Sequence, residues 1–252
     1  MRIPIFILLI STEFKQIFTS SKFVTRPRLE DLNLDKCYLE DTTCMVNAFQ
    51  KAIPNFSKGL PEWGIDVMDI MEFEEPVQFH MAGLSLNFSE GRLRGIRNII
   101  INSVKWDRKN GTIYLEYHAP TYSLSGKYKA DGQILILPIK GDGEMKINIK
   151  NMGVKLMMFI DEYKKNNKTH VSIKKYNFDF KVEGNARYNL TNLFNGKKEL
   201  ADAALSFMND NWEVLTTEFG RPLMDAVAVK TFKNVNRFLA RAPMEDLSLS
   251  YQ

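Results

Sequence analysis

The chain has 252 residues, of which 44% are hydrophobic, 12% aromatic and 25% charged, and its formal net charge is +4. This composition is ordinary for a globular protein, and a chain of this length can bury a substantial core within one domain. Basic residues are scattered as pairs, such as Lys164-Lys165 and Lys197-Lys198, and do not form a stripe. We therefore expect no nucleic-acid partner.

The amino terminus has the pattern of a secretory signal. One positive charge at Arg2 precedes the uncharged stretch 3–10, and small residues follow at Thr19-Ser20-Ser21. The apolar run is too short to span a bilayer, and no later run reaches the roughly 20 residues of a membrane helix. The alternative is a buried amino-terminal strand. We expect a signal peptide over residues 1–21, one mature domain over 22–252, and a secreted, extracellular product with no stable membrane insertion.

Cys37 and Cys44, seven positions apart, are the only two cysteines in the sequence. Two cysteines usually pair in an oxidising compartment, whereas in a cytosolic chain they more often stay reduced. The signal favours a disulfide. Because the bridge closes a short loop, it contributes about 2 to 3 kcal/mol at most, and we expect it to hold a local turn.

Export also makes the Asn-x-Ser/Thr triplets candidate glycosylation sites. Asn110 and Asn167 are the strongest, because their neighbours are typical of exposed turns. The full set is Asn55, Asn87, Asn110, Asn167 and Asn189.

The first structural element after the signal is a short amphipathic helix. Met45, Phe49 and Ile53 recur at helical spacing just after Cys44. Proline is unfavourable inside a helix, so we expect this one to end near Pro54.

The region from about Pro76 to Asn189 alternates apolar and polar residues and predicts long strands. A change of phase at Gly83 indicates a bulge or sharp bend, and another change follows across Lys174-Lys175. Gly141-Asp142-Gly143 predicts a hairpin turn. Since no helices are interleaved, the pattern favours a strongly curved antiparallel sheet with one apolar face.

Two helical runs follow the sheet. The first extends from Leu200 to Phe219, and the second from Leu223 to Leu239. We expect a break or kink between them at Gly220-Arg221-Pro222. Together the runs form a long apolar rod that a curved sheet could wrap around, which predicts an α+β fold.

The sequence has none of the common catalytic motifs. Its histidines, His80, His118 and His170, lack zinc-site spacing and are interpreted as ordinary strand residues. There is no Gly-x-Ser-x-Gly elbow, and a disulfide-bonded cysteine cannot act as a nucleophile. We expect a protein that is not an enzyme and that uses no metal and no cofactor.

Several short stretches, in their order and spacing, resemble the insect takeout and juvenile hormone-binding protein family. The resemblance covers essentially the whole mature chain. It is carried by Asp35-Lys36-Cys37 with Cys44, Gly59-Leu60-Pro61-Glu62, Leu193-Phe194-Asn195-Gly196-Lys197-Lys198-Glu199-Leu200, and Asn209-x-Asn211-Trp212.

The resemblance implies a tubular lipid-binding (TULIP-like) fold, in which a highly curved antiparallel sheet wraps a long carboxy-terminal helix and leaves an apolar tunnel. It also implies a secreted carrier of a small hydrophobic ligand, either a terpenoid such as juvenile hormone or a fatty-acid-like lipid. The chain lacks the second disulfide of the hormone carriers, and the family's usual Asp-Pro pair is altered in Asp66-Val67-Met68-Asp69-Ile70. We therefore assign it to the takeout-like branch.

The alternative function is a secreted interaction or signalling protein that keeps the fold and acts in feeding or circadian-linked behaviour. In either case we expect a monomer, with a protein receptor as a further partner.

Apolar positions on the strands and helices are the candidates for the tunnel lining. Plain core packing is the alternative interpretation, because alternation shows which face is buried but not whether the space beside it is hollow. Tyr117, Tyr122 and Tyr128 could also provide a polar contact. The candidates are Phe79, Met81, Leu84, Leu86, Phe88, Leu115, Tyr117, Tyr122, Leu124, Tyr128, Leu156, Met158, Phe178, Phe180, Phe207 and Val227.

Overall fold

The structure is a computed structural model that describes Leu32 and residues 34–251, so the predicted signal peptide over 1–21 lies outside the described residues. A helix comes first, then a sheet, then further helices. The elements are α1 (Thr42–Lys58), β1 (Met71–Glu72), β2 (Val77–Met81), β3 (Leu84–Arg94), β4 (Ile100–Asp107), β5 (Thr112–Ile134), β6 (Leu137–Lys165), β7 (Lys168–Leu190), α2 (Lys198–Asp210), α3 (Trp212–Leu239) and α4 (Met244–Leu247).

The strands form one antiparallel sheet in the order β1-β3-β5-β6-β7. Strands β4 and β3 pair with the same edge of β5. Strand β4 lies along the first part of β5 and β3 along the last part. In the same way, β1 and β2 share one edge of β3. Strands β5, β6 and β7 follow one another as hairpins and supply most of the sheet. The predicted α+β class and antiparallel sheet are confirmed.

The long strands have to bend. Strand β6 has 29 residues, and a straight strand of that length would extend about 95 Å, whereas a domain of this size has a radius of gyration of about 18 Å. Register shifts along the β6–β7 pair relieve this conflict, one between Lys150 and Met152 and another between Phe159 and Ile160. The second lies opposite Lys174 and confirms the predicted change of phase there.

Of the two alternatives at Gly83, a bulge or a sharp bend, the structure has the sharp bend: Ala82 and Gly83, with φ of 49° and 83°, form the two-residue turn of the β2–β3 hairpin. One predicted turn is placed differently. Gly141-Asp142-Gly143 lies inside β6, and the β5–β6 hairpin turns at 135–136 instead. A Cβ on Gly141 would lie 2.7 Å from the Tyr128 hydroxyl, so close packing explains this glycine.

The predicted glycosylation sites differ in accessibility. Asn110 is exposed in the β4–β5 turn and Asn167 in the β6–β7 turn, and both turns were predicted from the sequence. Asn189 is exposed on β7. Asn87 is half-buried on β3. Asn55 lies inside α1, where its side-chain amide donates to the Leu32 carbonyl at 3.0 Å. Glycosylation itself stays a prediction, and Asn110, Asn167 and Asn189 are the exposed candidates.

Pro54, which was expected to end a helix, and Pro222, where a break or kink was expected, both lie inside helices. Helix α1 continues past Pro54 to Lys58 and ends at Gly59, whose φ is 79°. Helix α3 is continuous through Pro222. In both cases packing against the sheet outweighs the one backbone hydrogen bond that a proline removes.

The interruption of the carboxy-terminal rod occurs at Asn211 and not at 220–222. Asn211 leaves the helical conformation, with φ of −108° and ψ of 26°. Its side-chain amide donates to the Phe207 carbonyl at 2.8 Å, a local bond that competes with the backbone ladder. Asn211 was visible in the sequence as a residue that can interrupt a helix. Gly220 and Pro222 were preferred because glycine and proline are the stronger helix breakers.

Helix α3 is the axis around which the sheet curves. It packs on β7 and β2, while α2 packs on β7 and α1 packs on β4. The Tyr176 ring of β7 stacks on Phe232 of α3 at 3.8 Å between centroids. Gln50 fastens α1 to the sheet edge, because its amide donates to the Ile99 carbonyl at 3.0 Å and accepts from the Ile101 N–H at 2.8 Å.

The predicted Cys37–Cys44 disulfide is present at the start of α1. It lies beside the carboxy-terminal segment, since the Cys37 carbonyl accepts from the Ser248 hydroxyl at 2.8 Å and from the Leu249 N–H at 3.0 Å. The two ends of the described chain are therefore joined at the same end of the fold.

Candidate functional site

An internal cavity of about 350 Å³ lies between the sheet, α1 and the second half of α3. We call it the larger cavity. Its sheet wall consists of Ile101, Trp106, Leu115, Tyr117, Tyr122, Val154, Leu156, Met158 and Phe178. Its helix wall includes Phe49, Ile53 and Phe56 of α1 and Met224, Val227, Ala228, Phe232 and Phe238 of α3. Only a few polar side chains reach this surface.

A smaller cavity of about 100 Å³ adjoins the first. It lies between the other part of the sheet, α2 and the first half of α3. Tyr122, Met224 and Val227 line both cavities and so form the partition between them. The rest of its wall is mostly aliphatic and includes Leu84, Leu93, Ala130, Ile134, Ile139, Met145, Ile147, Met152, Tyr188, Leu190, Met208 and Leu223.

Most of the predicted lining residues lie on the wall of one cavity or the other. The larger cavity takes Leu115, Tyr117, Tyr122, Leu156, Met158, Phe178 and Val227. The smaller one takes Phe79, Leu84, Leu86, Leu124 and Phe180, and shares Tyr122 and Val227. Ligand contact by these residues stays a prediction.

Four predicted residues lie on neither wall. Phe88 is fully buried in solid core against Phe73, with the two ring centroids 6.0 Å apart. The Tyr128 hydroxyl donates to the Thr191 carbonyl at 2.7 Å and so fastens two chain segments. Met81 ends β2 beside the hairpin turn, and Phe207 is half-buried on α2.

Sequence reasoning missed Ile101, Trp106 and Val154 on the sheet and, apart from Val227, all of the wall outside the sheet. Helix α1, the region around Ile96 and Ile99, and the carboxy-terminal Met244 and Leu247 close one end of the larger cavity. A signal existed for α1, because Phe49, Ile53 and Phe56 form an apolar stripe at helical spacing. Phe49 and Ile53 were predicted to lie on an amphipathic helix, but they were not among the predicted lining residues.

Tyr117 and Tyr122 supply hydroxyl groups at the partition between the cavities. Burial raises the pKa of Tyr117 to about 12, and its hydrogen bond to Tyr122 partly offsets that rise. Burial also raises the pKa of Tyr122 well above its ordinary value, with further contributions from Tyr117 and from the negative charge of Asp69. Both hydroxyls are therefore neutral at physiological pH.

Other buried polar groups near the larger cavity have partners within the protein. The Asp69 carboxylate accepts from the backbone N–H of Gly95 at 3.2 Å and of Arg97 at 2.9 Å, and from the Arg97 Nε at 3.1 Å. Asn234, which is 1% exposed, accepts from the Asp66 N–H at 3.1 Å. These groups hold the wall in place.

Trp106 is different, because its indole nitrogen is buried without a hydrogen-bond partner among the described residues. The residue stands near the end of β4, opposite Ile113 of β5, and lines the larger cavity. A buried donor without a partner costs about 1–3 kcal/mol. Such a group in a cavity wall is a natural contact for a ligand oxygen.

The three histidines are far apart in the fold. His80 is exposed on β2 and His118 lies on β5. His170 is buried on β7, where its Nδ1 lies 3.1 Å from the Leu239 carbonyl. Within the described residues, no group of three or more His, Cys, Asp or Glu side chains is arranged to hold a metal ion. Over the same part of the chain, no helix is long and apolar enough to cross a membrane.

A curved antiparallel sheet wrapped around a long helix, with an enclosed apolar space, defines the tubular lipid-binding class of fold. The chain belongs to the haemolymph juvenile hormone binding protein (JHBP) family, whose model matches residues 16–249. Its structure is similar to that of Takeout 1 from Epiphyas postvittana, with a TM-score of 0.84 and 43% sequence identity over 86% of this chain and 100% of that one. The predicted takeout/JHBP family and fold are confirmed.

Two curated relatives are more distant. The circadian clock-controlled protein daywake of Drosophila melanogaster is 26% identical over 84% of this chain and 86% of its own length. A Schistocerca gregaria protein named "Putative beta-carotene-binding protein" is 26% identical over 113 residues, which are 44% of this chain and 45% of the relative.

Proposed function

We propose that this protein is a secreted, non-catalytic carrier that binds one elongated hydrophobic small molecule. The supporting observation is the larger cavity of about 350 Å³, which is enclosed by apolar side chains of the sheet, α1 and α3. This volume is within the usual range of ligand sites. The names of the family and of the Schistocerca gregaria relative, which refer to juvenile hormone and beta-carotene, support the same class of cargo.

The binding energy of such a carrier comes from removing apolar surface from water. Each 100 Å² of buried ligand surface contributes about 2.5 kcal/mol before the costs of association. The polar groups around the larger cavity suit anchoring better than catalysis. Tyr117 and Tyr122 carry neutral hydroxyls, and the Asp69 carboxylate is held by backbone N–H groups. We propose that the carrier acts outside the cell as a monomer.

Extraction of the purified protein with organic solvent tests the proposal. Mass spectrometry should recover a terpenoid or a fatty-acid-like lipid, and the emptied protein should bind a fluorescent fatty acid that terpenoids displace. A protein that yields nothing and binds no probe would refute the carrier function.

The similarity to daywake favours a second candidate, an interaction or signalling protein linked to circadian or feeding behaviour. A carrier whose ligand occupancy controls receptor binding would combine both functions. A variant with a blocked cavity distinguishes the two functions. A protein that acts only through interactions should still bind its receptor in that variant.

A further inference from the structure

We propose that the ligand carries a hydrogen-bond acceptor oxygen, such as a carbonyl, and that Trp106 selects it by donating its indole N–H. This inference rests on the proposed carrier function and specifies the chemistry of the cargo. It distinguishes oxygen-bearing lipids from pure hydrocarbons. Trp106 is thereby a specificity-determining residue of the larger cavity.

The first support is the unsatisfied donor. The indole nitrogen of Trp106 has no partner among the described residues and is covered by its neighbours, while other atoms of the residue line the larger cavity, so the indole must turn before a ligand oxygen can reach the nitrogen. Buried polar groups are nearly always paired, so an exception at a cavity wall points to a partner that arrives with the ligand. An indole N–H can only donate, and the matching ligand group must therefore accept.

The second support is position. Trp106 pairs with Ile113 across the β4–β5 ladder, and Tyr117 lies four residues further along β5, about 13 Å away at the rise of a strand. The Tyr117 and Tyr122 hydroxyls are close enough to influence each other's pKa. An elongated ligand can therefore place its oxygen at Trp106 while its apolar chain extends toward the partition at Tyr122.

The third support is the setting of the donor. The wall of the larger cavity is mostly apolar, and Ile113 and Met158 continue the row of the sheet that Trp106 begins. A ligand carbonyl that entered this part of the cavity without an N–H to meet it would lose its hydration without replacement. The preference for oxygen-bearing ligands should therefore disappear when the indole N–H is removed. One substitution at Trp106 tests this.

The test compares two ligands of nearly equal shape, 2-tridecanone and 2-methyl-1-tridecene, in which a C=CH₂ group replaces the C=O group. Each competes with a fluorescent fatty acid for the full-length protein after solvent extraction. We expect the wild type to bind the ketone about tenfold more tightly, and Trp106→Phe to bind the alkene more tightly, because the variant leaves the buried carbonyl without a donor. Trp212→Phe is the control, because Trp212 lines neither cavity, and it should keep the preference for the ketone.

The indole N–H signals provide an independent readout. The chain has three tryptophans, and loss of one ¹⁵N–¹H indole peak in Trp106→Phe assigns that of Trp106. The ketone should shift this peak downfield, whereas the alkene should not, and the peaks of Trp63 and Trp212 serve as references. Equal affinity of the wild type for both ligands, or a preference that survives Trp106→Phe, overturns the inference while leaving the carrier function intact. Failure of both ligands and the fatty acid to bind would refute the carrier function itself.

Discussion

The two cavities differ in which elements close them and in the polarity of their walls. The smaller one lies where β3, β5 and β6 face α2 and the first half of α3, and aliphatic side chains fill most of the space. The larger one is closed by α1 and the segments at both ends of the described chain, and its wall includes Trp106 and Tyr117. Space therefore remains where elements distant in sequence meet, and this end has the features of a binding site.

The largest effect that we predict concerns the loop that supports the larger cavity. The Asp69 side chain is 3% exposed and accepts hydrogen bonds from the backbone of Gly95 and Arg97 and from the Arg97 side chain. Asp69→Ala leaves these donors without their acceptor. Because the Arg97 side chain remains largely exposed, we expect a loss of about 3 kcal/mol, the lower limit for a broken buried pair, in urea unfolding.

Asp66 provides the matched control. It pairs with Arg237 at 2.9 Å, but both side chains are substantially exposed, at 41% and 37%. Asp66→Ala should therefore cost no more than about 1 kcal/mol. Equal losses for the two variants would show that the Asp69 contacts do not support this end of the fold.

The next prediction separates the functions of the two cavities. Ala228 lines only the larger cavity and Ala130 only the smaller. Ala228→Trp should reduce binding of the fluorescent fatty acid about 100-fold, or about 2.7 kcal/mol, because the indole occupies the ligand's space. Ala130→Trp has less room, so it should destabilise the fold by about 1–3 kcal/mol and leave binding nearly unchanged. Similar losses of binding in both variants would mean that one ligand occupies both cavities.

Much of the sheet could be predicted from the sequence, because side chains alternate strictly between the two faces of a strand. This is why Leu115, Leu156 and Phe178 were assigned to the inner face, where the structure places them. Gly141 shows the limit of such reasoning. A glycine required in a turn and a glycine required by close packing against Tyr128 have the same local signature.

The hollow space itself could not be predicted in this way. Whether an inner face is filled depends on side chains that meet from distant parts of the chain, such as Phe49 of α1 and Phe232 of α3. Phe88 and Leu86 share one face of β3, yet Phe88 is in solid core and Leu86 lines a cavity. The unpaired indole of Trp106 is likewise visible only after its neighbours are placed.

The smallest predicted effect concerns two tyrosines, Tyr117 on the wall of the larger cavity and Tyr188 on the wall of the smaller one. It tests whether both cavities exclude water. Burial raises the pKa of Tyr117 to about 12 and also raises the pKa of Tyr188, which lines the smaller cavity. The folded state thus holds these phenolic protons more tightly than the unfolded state, where the pKa is about 10. Their contribution to stability is complete below pH 10 and is lost as the pH rises above 10, by about 1.4 kcal/mol per pH unit for each tyrosine, over a range that extends to about pH 12 for Tyr117.

Urea unfolding measured between pH 9 and 11.5 should show this loss, and both Tyr117→Phe and Tyr188→Phe should reduce its slope by about one proton. A reduction for Tyr188→Phe but none for Tyr117→Phe would mean that water solvates the Tyr117 hydroxyl in the larger cavity. An incoming lipid would then have to displace that water. If both variants reduce the slope, the larger cavity is dry before its ligand arrives, and binding gains most from filling space that no solvent occupies.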